Sequence, residues 1–326
     1  MKICIVKLSA MGDVIHAMVA LQFIKKELPN AQIDWVVERS FADVLKNNPH
    51  IDNILEVDLK SIKKQKSKIF TQLKILKKYS KNSYDIVIDA QGLLKSAIVS
   101  KIIGAKVIAG FDKDSIREGV ASFFYDKKVS IAYSANTIDR NATVICEPLG
   151  IEVTNEKIIN KEKFLFSSSH VKNLPEIFNL FVIGSTWESR NYPKEKFVKI
   201  AEALHVKTFI VWGSEEEHKK ALWMQDKSEF LHLLPRGSLD ELKYVISKCS
   251  LLIGNDTGPT HMAWGLNVPS ITLFGPTPLN RIYVTPINRA IKSSSIVNHY
   301  KLDKNDFSIC DINSDEIIKI AKELLS

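Results

Sequence analysis

Cysteine is scarce in this chain. Only Cys4, Cys146, Cys249 and Cys310 occur, and no C-x-x-C pair is among them. That excludes a disulfide scaffold and a Cys-based structural zinc site, and it fits a reducing compartment. No apolar run approaches the ~18 residues a bilayer-spanning helix needs. The opening MKICIVKL is shorter and more strand-like than a secretory leader, which predicts a cytoplasmic protein. G-x-G-x-x-G does not follow the first apolar run; the turn there is Ser9-Ala10-Met11-Gly12-Asp13, which disfavours a nicotinamide site. A Walker loop and H-E-x-x-H are missing too, which argues against a P-loop nucleotidase and a zinc protease.

What remains is the composition of a soluble globular chain, 45% hydrophobic and 25% charged over 326 residues, enough for two domains. The net charge of +8 favours phosphate-rich or anionic partners without naming one. Strand-like apolar runs alternate with segments of helical period. Strands are predicted over 2–8, 31–37, 54–57, 84–89 and 106–110, then over 180–183, 208–212, 231–234, 251–253 and 271–274. Helices are expected over 14–28, 40–46 and 136–149, with a polar linker over 150–163. Two runs of strand–helix alternation predict an α/β protein of two doubly wound domains. The expected boundaries are 1–165, 166–312 and a closing helix over 313–326 that packs back on the first domain.

The informative turns leave predicted strands. In Gly254-Asn255-Asp256-Thr257-Gly258-Pro259 the chain passes from a strand into a helix opened by Pro259. Amides and the helix dipole make such a turn an anion site, and Asp256, Thr257, Gly258 and His261 stand on it. Asp256 could equally cap the helix and His261 simply pack inside it. Asp13 follows the first strand at or near a helix N-cap, where it either caps or faces a crevice. Gly184-Ser185-Thr186 and Arg190 follow a third such strand. Residues 59–81 carry nine lysines, Lys60, Lys63 and Lys64 among them, without an acidic residue. Such a run is either a solvated face or a contact for polyanionic phosphate. Aromatic stacking residues are almost absent from it, so nucleic acid is not the expected partner.

Taken together, IVKLSAMGDVIH, DWVVE at 34–38, YDIVIDAQGLLKSA at 84–97 and NDTGPTHMAWGL at 255–266 resemble the lipopolysaccharide heptosyltransferases. The resemblance spans nearly the whole chain. The loop Ser9–Asp13 is more like members that add the first heptose of the inner core than like those with W-x-G-D. It implies a GT-B fold, two Rossmann-like domains facing across a cleft, with the acceptor on the first domain and the donor on the second. The implied donor is ADP-heptose, and the implied acceptor is the Kdo of Kdo-lipid A. Transfer would invert the anomeric centre, and the protein would touch the anionic inner-membrane surface transiently from the cytoplasmic side.

By the same resemblance Asp13 is the general base, and Ser185, Thr186, Arg190, Glu215, Asp256, Thr257, Gly258 and His261 bind the donor. Glu215 would hold the adenosine ribose. Arg190 stands where lysine is common in the family and Ser185 where threonine is, so cation and hydroxyl persist with altered geometry. Lys60, Lys63, Lys64, Gln91 and Arg117 are expected on the acceptor, which bears phosphates and carboxylates. No resident cofactor or metal is expected, since D-x-D is missing from these turns and cations can meet the leaving charge; divalent assistance stays open. A non-catalytic sugar-nucleotide binder could discard Asp13, which this chain retains. A nucleotide-sugar epimerase would need no basic first domain, whereas a heptosyltransferase with another acceptor fits every motif equally well.

Overall fold

A computed structural model describes residues 1–298 and 301–326 and divides into two units, Met1–Leu165 and Phe166–Ser326. The first unit runs β1 (Lys2–Val6), α1 (Met11–Met18), α2 (Ala20–Glu27), β2 (Gln32–Glu38), α3 (Ala42–Leu45), β3 (Asn53–Val57), α4 (Leu59–Lys64) and α5 (Lys68–Tyr79). It continues through β4 (Tyr84–Asp89), α6 (Leu94–Ile103), β5 (Ala105–Phe111), β6 (Lys127–Val129), α7 (Thr137–Cys146) and α8 (Asn155–Ile159). The second holds β7 (Asn179–Val182), α9 (Lys194–Leu204), β8 (Thr208–Val211), α10 (Glu215–Lys227), β9 (Leu231–Leu233) and α11 (Leu239–Lys248). It closes with β10 (Leu251–Asn255), α12 (Gly258–Leu266), β11 (Ser270–Phe274), β12 (Asn288–Lys292) and α13 (Ser314–Leu325).

Each unit is built on a six-stranded sheet, in the order β3-β2-β1-β4-β5-β6 and β12-β11-β10-β7-β8-β9. All pairings are parallel. A parallel sheet covered on both faces needs strands that are apolar on both sides. Ile3–Val6 and Leu251–Ile253 are buried throughout for that reason. The strand order reverses between β1 and β4 in the first sheet and between β7 and β10 in the second. At such a switch point the loops leaving neighbouring strands diverge to opposite faces and open a crevice at the carboxyl edge.

Several local expectations change. The helix predicted over 14–28 is two helices, α1 and α2, meeting at Val19. Asp13 is not the cap but the third helical position, and its Oδ2 accepts from the amide of Ala10 at 3.2 Å. Edge strands β6 (KKV) and β12 (NRAIK) lack the continuous apolar signature, because an edge is only partly covered. The span 150–163 contains α8, opened by Thr154 Oγ1 accepting from the amide of Lys157. The closing helix α13, expected against the first domain, buries Ile317 and Ala321 in the second unit's core, beside α9, β10 and β11.

Gly254 shows how tightly β10 and β7 meet at the second switch point. A Cβ there would lie 2.7 Å from Val182 Cβ, 2.7 Å from Thr260 Oγ1 and 3.0 Å from the Val182 carbonyl. Two of these atoms belong to rigid strand or backbone. Gly254→Ala should therefore lower stability by about 1–3 kcal/mol through overpacking. Equilibrium urea unfolding checks this; an unchanged midpoint would mean the two strands can part.

Candidate active site

In the first unit the loops after β1 and β4 are bound to each other through buried polar groups. Gln91 Oε1 accepts from the amides of Leu8 and Ser9, both at 3.0 Å. Lys7 is buried, and its Nζ donates to the Ala90 carbonyl at 2.8 Å. Asp89 is fully buried and accepts from the amides of Gln91 (2.9 Å) and Gly92 (3.2 Å) and from the Tyr125 hydroxyl (2.8 Å). Burial pushes the Asp89 carboxyl up despite the hydrogen bonds from Tyr125 and Ser96. Burial likewise pulls the Lys7 amine down, against the opposing charges of Asp13 and Asp89. Gly92 has φ +69°, and a Cβ there would lie 2.6 Å from Ile116 Cγ2, so this turn requires glycine.

Asp13 stands partly exposed on this edge, next to a β1 loop that these contacts immobilise. Gln91, expected on a ligand, has its side-chain oxygen engaged within the protein. Lys60 packs its Nζ over the Phe41 ring, 4.3 Å from the centroid. Lys63 and Lys64 are exposed in the last turn of α4, and Arg117 is exposed between β5 and β6. These cations share the carboxyl edge of the sheet with Asp13, since α4 follows β3 and Arg117 follows β5.

In the second unit the sequence-predicted residues converge on one buried carboxylate. Asp256, directly after β10, is 2% exposed. Arg190 Nη2 donates to Asp256 Oδ2 at 2.8 Å and also to the Asp256 carbonyl. His261 Nε2 lies 2.9 Å from Asp256 Oδ1. Burial alone would raise this carboxyl; the His261 hydrogen bond and the charges of Arg190 and Arg281 outweigh it and hold the group far below the usual carboxylate range. Asp256 therefore neither caps α12 nor lies open to solvent. The N-cap is Thr257, whose side chain makes no cap bond, and Gly258 opens the helix with Pro259 behind it. The first amides of α12 thus have no intrahelical acceptor.

Around this centre, Ser185 Oγ is buried without a hydrogen-bond partner, while Thr186 is exposed. Glu215 is exposed at the first position of α10, one strand over from β7. Its neighbour Glu217 turns inward and accepts from the Gly213 amide. Arg190 also sits over the Trp187 ring, 5.4 Å from its centroid.

Sequence reasoning missed three contributors. Asn255 is fully buried; its Nδ2 donates to the Ile183 carbonyl and its Oδ1 accepts from the Tyr192 amide, tying β10 to the loop after β7. A polar side chain closing an apolar strand was the available signal. Thr277, after β11, is buried with an unpartnered Oγ1, and Lys7 lay inside a predicted strand. Unsatisfied buried hydroxyls call for an explanation, and a bound water or ligand group is one.

Comparison with known proteins agrees on one family. The model of glycosyltransferase family 9 (heptosyltransferase) matches residues 72–308. Lipopolysaccharide heptosyltransferase 1 from Campylobacter coli is 38% identical, across 99% of this chain and 99% of its own length. The Pseudomonas aeruginosa protein of the same name is 31% identical across 85% of this chain and 79% of its own. Among solved structures, E. coli heptosyltransferase WaaC with ADP has a TM-score of 0.84 at 24% identity, covering 99% of this chain and 100% of that one. WaaC with ADP-2-deoxy-2-fluoro heptose gives 0.82 at 23% identity, with 99% of both chains covered. The two Rossmann-like units are accordingly those of a GT-B fold.

Removing the charge of Asp256 should be costly. Asp256→Asn leaves Arg190 beside a neutral amide in a buried site, and a loss of about 3–5 kcal/mol is expected. The pH dependence follows from the depressed carboxyl: its contribution is complete above the unfolded-state value, near pH 4, and is lost as pH falls below it. Urea midpoints measured from neutral to acidic pH should fall for the wild type below about pH 4 more steeply than for Asp256→Asn. Equal acid sensitivity would show that Asp256 is not the group that titrates.

Proposed function

This chain belongs to glycosyltransferase family 9, the heptosyltransferases, and from that premise we propose that it transfers L-glycero-D-manno-heptose from ADP-heptose to the Kdo of Kdo-lipid A, with inversion. Heptosyl transfer in lipopolysaccharide core biosynthesis is what the family and its full-length relatives support. The acceptor, the stereochemistry and the residue roles are our reading of the site.

The observation that carries the reading is the guanidinium of Arg190, fixed by a buried carboxylate beside the amino end of α12. A departing ADP gathers negative charge on its diphosphate. A preorganised cation, together with free helix amides, stabilises that charge without having to reorganise as it develops. Ser185 and Thr277 offer hydroxyls lacking partners, well suited to phosphate oxygens. Glu215, exposed after β8, would accept from the ribose hydroxyls. Asp256 and His261 serve in this reading as positioning groups that orient Arg190, not as donor contacts.

On the acceptor side the attacking hydroxyl must lose its proton as the new C–O bond forms and the bond to ADP breaks. Asp13 is our candidate base. What supports it is its place at the β1–β4 switch point, in the first turn of α1 and next to a loop held by Gln91. Lys60, Lys63, Lys64 and Arg117 would hold acceptor phosphates and carboxylates by charge. No resident metal is invoked, because Arg190 and the helix amides can supply the electrostatic stabilisation. A lipid acceptor implies work at the cytoplasmic face of the inner membrane, with transient contact to its anionic surface.

Purified protein mixed with ADP-heptose should release ADP only when Kdo-lipid A is present, and the acceptor should gain the mass of one heptose. ADP release without that gain, or donor binding without turnover, contradicts the transfer reading. Asp13→Ala should slow turnover by at least ~10²-fold while leaving ADP-heptose affinity nearly unchanged. Near-wild-type turnover of a folded Asp13→Ala protein removes Asp13 from the base role.

A further inference from the structure

The first unit exposes an unusual set of apolar side chains on one edge. Phe70 is 70% exposed and Phe123 80%; Ile69, Leu94, Ile98 and Val120 are exposed as well. They lie on three segments that follow β3, β4 and β5 of one parallel sheet, in which β4 and β5 are neighbours and β3 is the far edge strand. Ile69 and Phe70 open α5, Leu94 and Ile98 lie in the first half of α6, and Val120 and Phe123 lie on the short 3-10 turn 119–124. α5 packs on α6 and α6 on that turn, and Leu94 donates its amide to Glu118 Oε2 at 2.8 Å, so the three segments adjoin. Single exposed apolar residues are ordinary; two largely exposed phenylalanines with four aliphatic neighbours on adjoining segments are not.

The charge around them is mostly of one sign. Lys66, Lys68, Lys95 and Arg117 are exposed on the same segments, and 59–81 holds no carboxylate at all. The acidic groups on these segments are Asp112, Asp114, Glu118 and Asp126, of which Asp112, Glu118 and Asp126 accept from the amides of Ser115, Leu94 and Ile108. A fluid anionic interface accepts rings and cations together, the rings at the acyl boundary and the cations among the headgroups. A protein partner would have to offer a separate pocket for each ring.

We propose that this face docks on an anionic lipid bilayer and inserts Phe70 and Phe123 into it. The inference rests on the heptosyl-transfer reading only for its choice of a lipid-borne acceptor. It adds that contact is more than charge attraction, and that it fixes the carboxyl edge carrying Asp13 at the membrane. Two weak signals, shallow apolar insertion and a polybasic patch, combine into stable yet reversible attachment.

The test is co-sedimentation with vesicles of phosphatidylcholine alone, or of phosphatidylcholine and phosphatidylglycerol in equal parts. Wild-type protein should bind the anionic vesicles and hardly the neutral ones. Phe70→Ser with Phe123→Ser should weaken binding by about tenfold or more, while transfer to a delipidated, water-soluble Kdo acceptor stays at the wild-type rate. Lys66→Glu with Lys68→Glu should remove the preference for phosphatidylglycerol. Wild-type vesicle binding by the double Phe variant overturns insertion. Absence of vesicle binding by the wild type, with self-association that the same Phe substitutions abolish, overturns the bilayer in favour of a second copy of the chain. Loss of transfer to the soluble acceptor by the wild type would instead sink the functional reading and leave the docking result standing.

Discussion

A carboxylate removed from water must find its compensation within the protein, and Asp256 finds it in Arg190 and His261. The loop after β7, the end of β10 and the first turn of α12 are all drawn to that one group. Asn255 reinforces the junction by bridging the Ile183 carbonyl and the Tyr192 amide. Gly254 permits β7 to approach closely enough for these bonds to form. In the donor site we propose, a cation is thus held in place by the protein's own bonds. That is the arrangement electrostatic catalysis requires, because dipoles and charges already in place cost no reorganisation in the transition state.

The first unit solves a similar problem differently. Its switch point is fixed by Gln91, whose carbonyl oxygen holds two successive amides of the β1 loop, and by the buried Asp89 and Lys7. Asp13 is left partly exposed beside this immobile loop. A base for a sugar hydroxyl needs that combination of fixed position and open access. The same doubly wound architecture therefore yields a charged, buried anchor in one unit and an accessible carboxylate in the other. The difference lies in the residues on the loops and not in the strand order.

Much of this was legible in the sequence, for identifiable reasons. Segments such as Ile3–Val6 and Ile86–Ile88 are buried on both faces, so their apolar runs announce them. The edge strands β6 and β12 have no such signature, and the short α8 was hidden in a polar stretch. The family was readable because its motifs lie on the loops that leave the strands. Motifs mark positions, however, and not contacts. Arg190 and Asp256 are 66 residues apart, and nothing in either segment says that one is committed to the other. Asp256 and His261 are expected on the donor; the structure shows the Asp256 carboxylate bonded to Arg190 and to His261. Gln91, expected on the acceptor, has its side-chain oxygen on the amides of Leu8 and Ser9. The exposure of Phe70 is not legible in the sequence, because an apolar position in a helical period looks like core until its burial is known.

The measurement that bears most directly on the central interaction is a double-mutant cycle on ADP binding, read by titration calorimetry under conditions where every variant is folded. If Asp256 acts by orienting Arg190, Asp256→Asn and Arg190→Ala should each weaken ADP binding by about tenfold or more, and the double variant should bind no more weakly than Arg190→Ala alone. Additive losses would mean that Asp256 meets the nucleotide independently of Arg190, and the account of a preorganised cation would be wrong.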